Sequence, residues 1–349
     1  MFVNIISVLD SYVIIYLNIN LEGIMATKIE KKIKRLKRSK EYRVIMLIIV
    51  VLAAAIGYFF FNDVKTQPTY SSSQDENGFY FYVEDEDYYF SANDLEGKQL
   101  FDKLGDIISM NFQPVSYNEA RYVLEEADVS LEDETKIWNI YDGSLVDAKW
   151  DGGGTWNREH VWPNSRLGTD RVDGSDKNQA SDLHNLRAAD PGVNSSRSDR
   201  FYTAGSGENG TNDDGGYYPG DEHIGDVARI LFYMVTMYDY LELTNDLNAL
   251  LDESDHYTMD GARMGVLDLL FEWHKLDPVD EFERQRNDVI YAAQGNRNPY
   301  IDHPEYVHLI WENKTIEDLI EPVEEETEEV DETTTSIDQF IKERRSIFL

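Results

Sequence analysis

Apolar residues recur along the chain in three patterns, and each pattern predicts a different element. Residues 44–61 (VIMLIIVVLAAAIGYFFF) form an unbroken apolar run without a single charge. As a helix rising about 1.5 Å per residue, this run spans roughly 27 Å, close to a bilayer core. Further on, apolar residues are spaced three and four apart, which is helical spacing. Leu100, Phe101, Leu104, Ile107 and Ile108 mark one helix, and Ile224, Val227, Leu231, Met234, Val235 and Tyr238 a second. Val266, Leu269, Leu270 and Trp273 mark a third, stopped before Pro278; a fourth runs from about Val279 to Ala293 and ends at Gly295. Ser116-x-x-Glu119 and Asn93-x-x-Glu96 have the form of capping boxes ahead of helical stretches. Short β-rich pieces lie at 136–141 and around 156–161. The fold class read from this balance is α+β, a mostly helical single domain over about residues 79–313.

The ends of the chain read differently. Residues 25–43 are basic and precede the apolar run, while Asp63 and a polar stretch follow it. The positive-inside rule therefore places 25–43 in the cytoplasm, 44–61 across the membrane as a helix or signal anchor, and the rest outside. Cleavage of the segment would release a secreted protein. Residues 1–24 are apolar but irregular and precede a second methionine, Met25, so they read as an extension of the gene ahead of the true start. Residues 62–78 read as a linker. Residues 314–349 read as a tail, and its stretch 317–332 is dominated by Glu and Asp, which repel one another and bury no core.

Charge complicates any assignment. Lys and Arg total 32 against 67 Asp and Glu, a net of −35. Nine of the basic residues but only four of the acids precede residue 63, so the outer part is more acidic still. Nucleic-acid binders are usually basic, and on composition alone this chain is a poor one. It has no cysteine, which excludes disulfides, zinc ribbons, iron–sulfur clusters and thiol nucleophiles.

The densest cluster of reactive side chains is Asn157-Arg158-Glu159-His160, followed by Asp182-Leu183-His184-Asn185-Leu186-Arg187 and by Asp190-Pro191-Gly192-Val193-Asn194-Ser195-Ser196-Arg197. Phosphodiester hydrolysis requires an attacking water, a base to take its proton, and stabilisation of charge on phosphorus and the leaving oxygen. A histidine near neutral pH can be the base, and a hard divalent cation on oxygen ligands can supply the rest. Glu159 and His160 are neighbours and point to opposite sides of a strand or helix. That suits a division of roles, with Glu159 on the metal and His160 on the water. Asp190-Pro191 marks a helix start, so Asn194 falls in its first turns, where its amide oxygen can ligate an ion without adding charge. This stretch is also nearly neutral, since Arg158, Arg166, Arg171, Lys177, Arg187, Arg197 and Arg200 offset its acids.

Residues 157–163 (NREHVWP), 182–187 (DLHNLR) and 193–198 (VNSSRS) together resemble the bacterial endonuclease I family. The likeness extends to 88–108, to 225–233 (GDVARILFY) and to 273–311, and covers roughly residues 79–313 in the same order. The resemblance implies a ββα-metal (His-Me) finger, in which His160 activates water while Glu159 and Asn194 hold a divalent metal. Mg²⁺ is the first expectation, with Ca²⁺ and Mn²⁺ as alternatives. It implies DNA as substrate with little sequence preference, and RNA as a second substrate. A phosphate-binding arginine in the family corresponds to Arg187 or Arg197 as first candidates, with Arg166 and Arg171 as alternatives. Arg158, His184 and Asn185 are expected beside the site or on the substrate.

Plainer readings stand beside these. An Asn near a helix start is usually a cap, and His184 between leucines reads first as a packed strand residue bonded to backbone or to His160. Gly152-Gly153-Gly154 lacks the Lys-Ser/Thr of a phosphate loop. The rival function is a catalytically weak, surface-tethered nucleic-acid-binding or interaction module. No protein partner is predicted.

Overall fold

A computed structural model describes residues 78–79 and 87–320. The apolar run 44–61 expected to span the membrane, the basic stretch before it and most of the acidic tail lie outside these residues. Among the described residues no helix is long and apolar enough to cross a membrane.

The principal helices are α1 (Gly97–Met110), α2 (Tyr117–Ala127), α3 (Pro191–Arg197), α4 (Ile224–Met237), α5 (Leu267–Leu276) and α6 (Glu281–Gln294). The strands that matter here are β1 (Lys136–Trp138), β2 (Leu145–Asp147), β3 (Asn157–His160) and β4 (Leu186–Ala189). They form two separate antiparallel pairs, β1 with β2 and β3 with β4. The mixture of helix and short strand is the α+β content that the apolar spacing predicts.

Local chemistry explains most boundaries. Ser116 and Glu119 close a reciprocal capping box on α2. Asp280 and Glu283 do the same for α6, which ends where Gly295 takes a left-handed φ of 82°. The box expected at Asn93 and Glu96 does not form. Asn93 instead closes a short 3-10 turn, Phe90–Ala92, and α1 starts at Gly97 with no side-chain cap. The Glu96 carboxylate is committed elsewhere, accepting the Ile316 N–H at 2.8 Å. Ile316 opens a short helix, Ile316–Ile320, and packs with Leu319 against the main core. The first residues of the acidic stretch are thus ordered by two apolar side chains.

Two apolar clusters flank the β3–β4 hairpin. The larger surrounds α4, whose side chains are buried on every face except at its last residue, and includes Val161, Trp162 and Ala189. The smaller joins Ala120 and Leu124 of α2 and Ile290 of α6 to Trp156, Leu183, Leu186 and Ala188. The hairpin is therefore wedged between two packed bodies, which fixes its strand positions. α4 enters this arrangement tightly: a Cβ on Gly225 would meet the Asp277 carbonyl at 2.1 Å, so only glycine fits there.

Charged side chains extend the wedge inward. Asp128, at the end of α2, accepts from Arg286 Nε at 2.7 Å and from the Ala188 N–H of β4 at 2.5 Å, and lies 3.4 Å from Arg187 Nε. Arg187 reaches Asp226 of α4 at 2.9 Å, and Arg229 of α4 pairs with Glu283 of α6 at 2.6 Å. Buried charges of this kind persist only when paired and hydrogen-bonded.

Candidate active site

The hairpin register sets Asn157 opposite Ala189, Arg158 opposite Ala188, Glu159 opposite Arg187 and His160 opposite Leu186. Strand alternation then separates neighbours. Glu159 turns into the protein beside Tyr141 and Arg197. Arg158 and His160 turn the other way and share Tyr117, the Arg158 guanidinium 3.7 Å above its ring and the His160 imidazole stacked on it at 5.3 Å. The separate roles expected of Glu159 and His160 correspond to two faces of one strand.

His160 Nε2 lies 2.7 Å from the Ala180 carbonyl. A carbonyl only accepts, so Nε2 carries the hydrogen and donates it. Nδ1 is then the lone-pair nitrogen, and among the described residues nothing donates to it. Crowding by protein pushes the ring's pKa down to about 4. The Ala180 bond opposes this, and the positive charges of Arg158, Arg197 and Arg171 add to it. The imidazole is a neutral base throughout the neutral range.

Glu159 is buried. Its Oε1 accepts from the Tyr141 hydroxyl at 2.7 Å and sits 3.0 Å from Arg197 Nη1. Burial raises its pKa, while Arg197, Tyr141 and the His160 N–H work against that rise. The Tyr202 hydroxyl lies 2.7 Å from the Tyr141 hydroxyl and 3.0 Å from the Val161 carbonyl, within reach of both with its single hydrogen. The carboxylate is held by a tyrosine pair that also holds the chain just after His160.

α3 follows β4 directly. Asp190 caps it by accepting from the Gly192 and Val193 N–H groups, and Pro191 opens it. The Asn194 amide donates from Nδ2 to Asn157 Oδ1 at 2.7 Å, with a longer contact to the Arg158 carbonyl at 3.4 Å. These bonds tie α3 across β3 and fix the amide, and among the described residues Oδ1 accepts nothing. One carboxylate and one amide oxygen are hard donors suited to Mg²⁺ or a similar ion. Among the described residues no cluster of three or more His, Asp or Glu could hold a metal, so an ion here would keep water in most of its shell.

Several sequence candidates occupy other positions. Arg187 is 1% exposed, and its guanidinium is engaged by Asp128 and Asp226 on the inner side of the sheet. Arg197 is also 1% exposed: Nη1 donates to the His160 carbonyl at 2.8 Å and Nη2 to the Val161 carbonyl at 2.6 Å, besides the Glu159 pair. For either to contact a phosphate, it would have to break these buried ion pairs to reach solvent. Arg166 is buried too, donating to the Asp199 and Leu250 carbonyls. Arg171 is exposed and close enough to act on the His160 charge.

His184 is fully buried, with Nε2 3.2 Å from the Asn296 carbonyl and its ring against Tyr233. Its bond is to backbone, as the plainer reading holds. Asn185 grips the segment after His160: its Oδ1 accepts the Trp162 N–H at 2.6 Å and its Nδ2 donates to the Trp162 carbonyl at 3.0 Å. Arg158 donates to the Tyr117 carbonyl. Tyr117, Tyr141, Tyr202 and Ala180 were not legible as site residues. Tyr141 is the last residue of the short β-rich piece 136–141, and no motif distinguishes it from the chain's other tyrosines.

A strand pair followed at once by a helix, presenting a neutral imidazole, a carboxylate and an amide oxygen, is an arrangement suited to hydrolysis of phosphodiesters. Comparison with known proteins agrees. The family model for Endonuclease I matches residues 96–305. An extracellular ribonuclease of Bacillus subtilis (strain 168) is 37% identical over 241 residues, 66% of this chain and 80% of the relative. Another, from Bacillus amyloliquefaciens, is 38% identical over 239 residues, 65% of this chain and 78% of the relative. The chain belongs to the Endonuclease I family, and with it to the phosphodiester hydrolases.

Proposed function

We propose that the protein is a metal-dependent endonuclease acting outside the cell, hydrolysing DNA and RNA with little sequence preference. The observation that carries this is the orientation of His160: Nε2 is committed to the Ala180 carbonyl at 2.7 Å, which leaves Nδ1 as the lone-pair nitrogen. His160 Nδ1 takes the proton of the attacking water. Glu159 and Asn194 Oδ1 hold the divalent ion, most simply Mg²⁺, which when bound supplies positive charge for the developing negative charge on the phosphate oxygens. Arg197 and Tyr141 position Glu159, and Asn185 positions the chain beyond His160. Arg171, exposed and adding positive charge at His160, takes the phosphate contact in place of Arg187 and Arg197.

The extracellular relatives and the basic-then-apolar order of residues 25–61 support a place outside the membrane, tethered by 44–61 or released by cleavage. Both relatives are ribonucleases by name, which moves RNA from a second substrate to an equal one. Residues 79–313 are the nuclease domain in this reading.

The test uses the purified full-length chain on plasmid DNA and on a structured RNA, with Mg²⁺, with EDTA, and as His160→Ala with Mg²⁺. Cutting is expected only from the unsubstituted protein with metal, and His160→Ala should lose about 10²–10⁴-fold in rate. A folded protein that cuts neither substrate under any condition leaves the binding-module reading. Cutting that survives EDTA removes the metal from the scheme.

A further inference from the structure

Beside the candidate base, planar side chains from three separate parts of the chain are stacked in a row. Tyr117 lies against His160 at 5.3 Å, with the planes 22° apart. Arg158 covers Tyr117 at 3.7 Å and also faces the Trp150 ring at 5.4 Å. Arg121 faces Trp150 from 5.9 Å and Tyr122 from 4.7 Å. Tyr122 ends the row with 55% of its surface exposed. Tyr117 and Arg121 are one helical turn apart on α2, so they share a face. Trp150 is fixed from behind by Trp156, ring centroids 4.8 Å apart, and by its N–H on Glu125 at 2.8 Å.

Six of the twelve arginines in the described residues have no carboxylate partner, and two of those six lie in this row. Among the described residues neither Arg121 nor Arg158 pairs with a carboxylate, although carboxylates hold Arg187, Arg197, Arg229, Arg263, Arg286 and Arg297. Arg121 donates only to Asn118 Oδ1 and the Tyr122 hydroxyl, both neutral. Two guanidiniums left without anions, interleaved with aromatic rings and leading straight to the reacting position, have the composition of a nucleic-acid track.

We propose that the row Tyr117–Arg158–Trp150–Arg121–Tyr122 binds the substrate strand on one side of the scissile phosphate and selects unpaired over duplex nucleic acid. This inference rests on the nuclease reading of His160. Arg158 and Arg121 take successive phosphates. The exposed Tyr122 ring takes a base by stacking. A duplex keeps its base faces inside the helix and offers only phosphates to the row, so it gains only part of the contact.

The test is fluorescence anisotropy with the full-length chain carrying His160→Ala, so that nothing is cut, in Mg²⁺. The probes are labelled twelve-nucleotide unpaired DNA and RNA strands and a hairpin duplex of equal charge. The double substitution Arg121→Ala with Tyr122→Ala lies on the surface and keeps the fold, which thermal melting verifies. It should weaken binding of unpaired strands about tenfold and of the duplex less than threefold. Trp150→Ala should do the same, with Trp150→Phe restoring most of the affinity. Loss on either the DNA or the RNA strand supports the proposal and tells which sugar the row prefers. Equal losses on strand and duplex, or no loss on any probe, overturn it. The outcome is separable from that of the nuclease reading, because binding is read without cleavage and cutting is read on the unsubstituted protein.

Discussion

Asn185 gives the most quantitative prediction. Its side chain is fully buried and spends both ends on one residue, accepting the Trp162 N–H at 2.6 Å and donating to the Trp162 carbonyl at 3.0 Å. Asn185→Ala removes both partners and leaves a buried N–H and a buried C=O unpaired. Each orphaned group costs about 1–3 kcal/mol, so the variant should lose about 3–4 kcal/mol, a large part of the ~5–15 kcal/mol that holds a domain folded. Asn185→Asp is the sharper control. It keeps the acceptor for the N–H but sets an oxygen against the Trp162 carbonyl. It should be at least as damaging at neutral pH although only one atom has changed. Urea unfolding of the full-length chain measures both, as a fall in midpoint with little change in slope. Trp162 lies two residues past His160, so the folded fraction should also lose about 10²-fold in kcat through misplacement of the base. If both variants stay within about 0.5 kcal/mol of the parent, the clamp argument is wrong and the segment after His160 is held by its strand bonds alone.

Further outcomes follow from the same geometry. With the His160 pKa pushed down to about 4, the acid limb of kcat/KM should fall near pH 4 instead of the ordinary histidine value of about 6.5. Because the unfolded chain takes up that proton first, the ring's share of stability is lost as pH falls from about 6.5 toward 4, which pH-dependent melting reads. Tyr141→Phe removes the donor to Glu159 Oε1 and should weaken Mg²⁺ activation by about 10–100-fold in a metal titration; an unchanged midpoint would mean that Arg197 alone positions the carboxylate. Arg187→Ala leaves buried Asp226 with only His223 paired to it among the described residues and weakens the support of Asp128, so it should cost about 3–5 kcal/mol in thermal unfolding. At low temperature, where it remains folded, its kcat should stay within about tenfold of the parent, whereas a phosphate ligand would lose far more.

The elements were legible wherever their signals were local. The three-and-four spacing of Leu100, Leu104 and Ile108, the Ser116–Glu119 box and the Asp190-Pro191 start each involve residues one or two turns apart, and all appear in the fold. Glu159, His160 and Asn194 could be read together because one short hairpin and the helix after it carry them. What the sequence left open was how the arginines differ. An isolated guanidinium in a sequence does not reveal whether it faces phosphate or a carboxylate. Arg187 is settled by Asp128 and Asp226, 59 and 39 positions away. Arg197 depends on Glu159, 38 positions back. The tyrosines were missed for the same reason, since Tyr141 reaches Tyr202 across 61 positions. The Asn93 box failed because a competing 3-10 turn used that residue first.

The buried pairing of Asp128 with Arg286 joins residues 158 positions apart in sequence. Arg286 also donates to the Leu183 and Leu186 carbonyls that flank the second strand of the hairpin. Contacts that close so long a loop form late, after shorter-range structure is in place. During synthesis or export the segment around His160 would therefore emerge well before the arginine that braces it. A chain ending before Arg286 should bind metal poorly and cut nothing. In the nuclease reading, activity would in this way depend on completion of the chain, and a partly made copy would pose little hazard to the nucleic acid of the cell producing it.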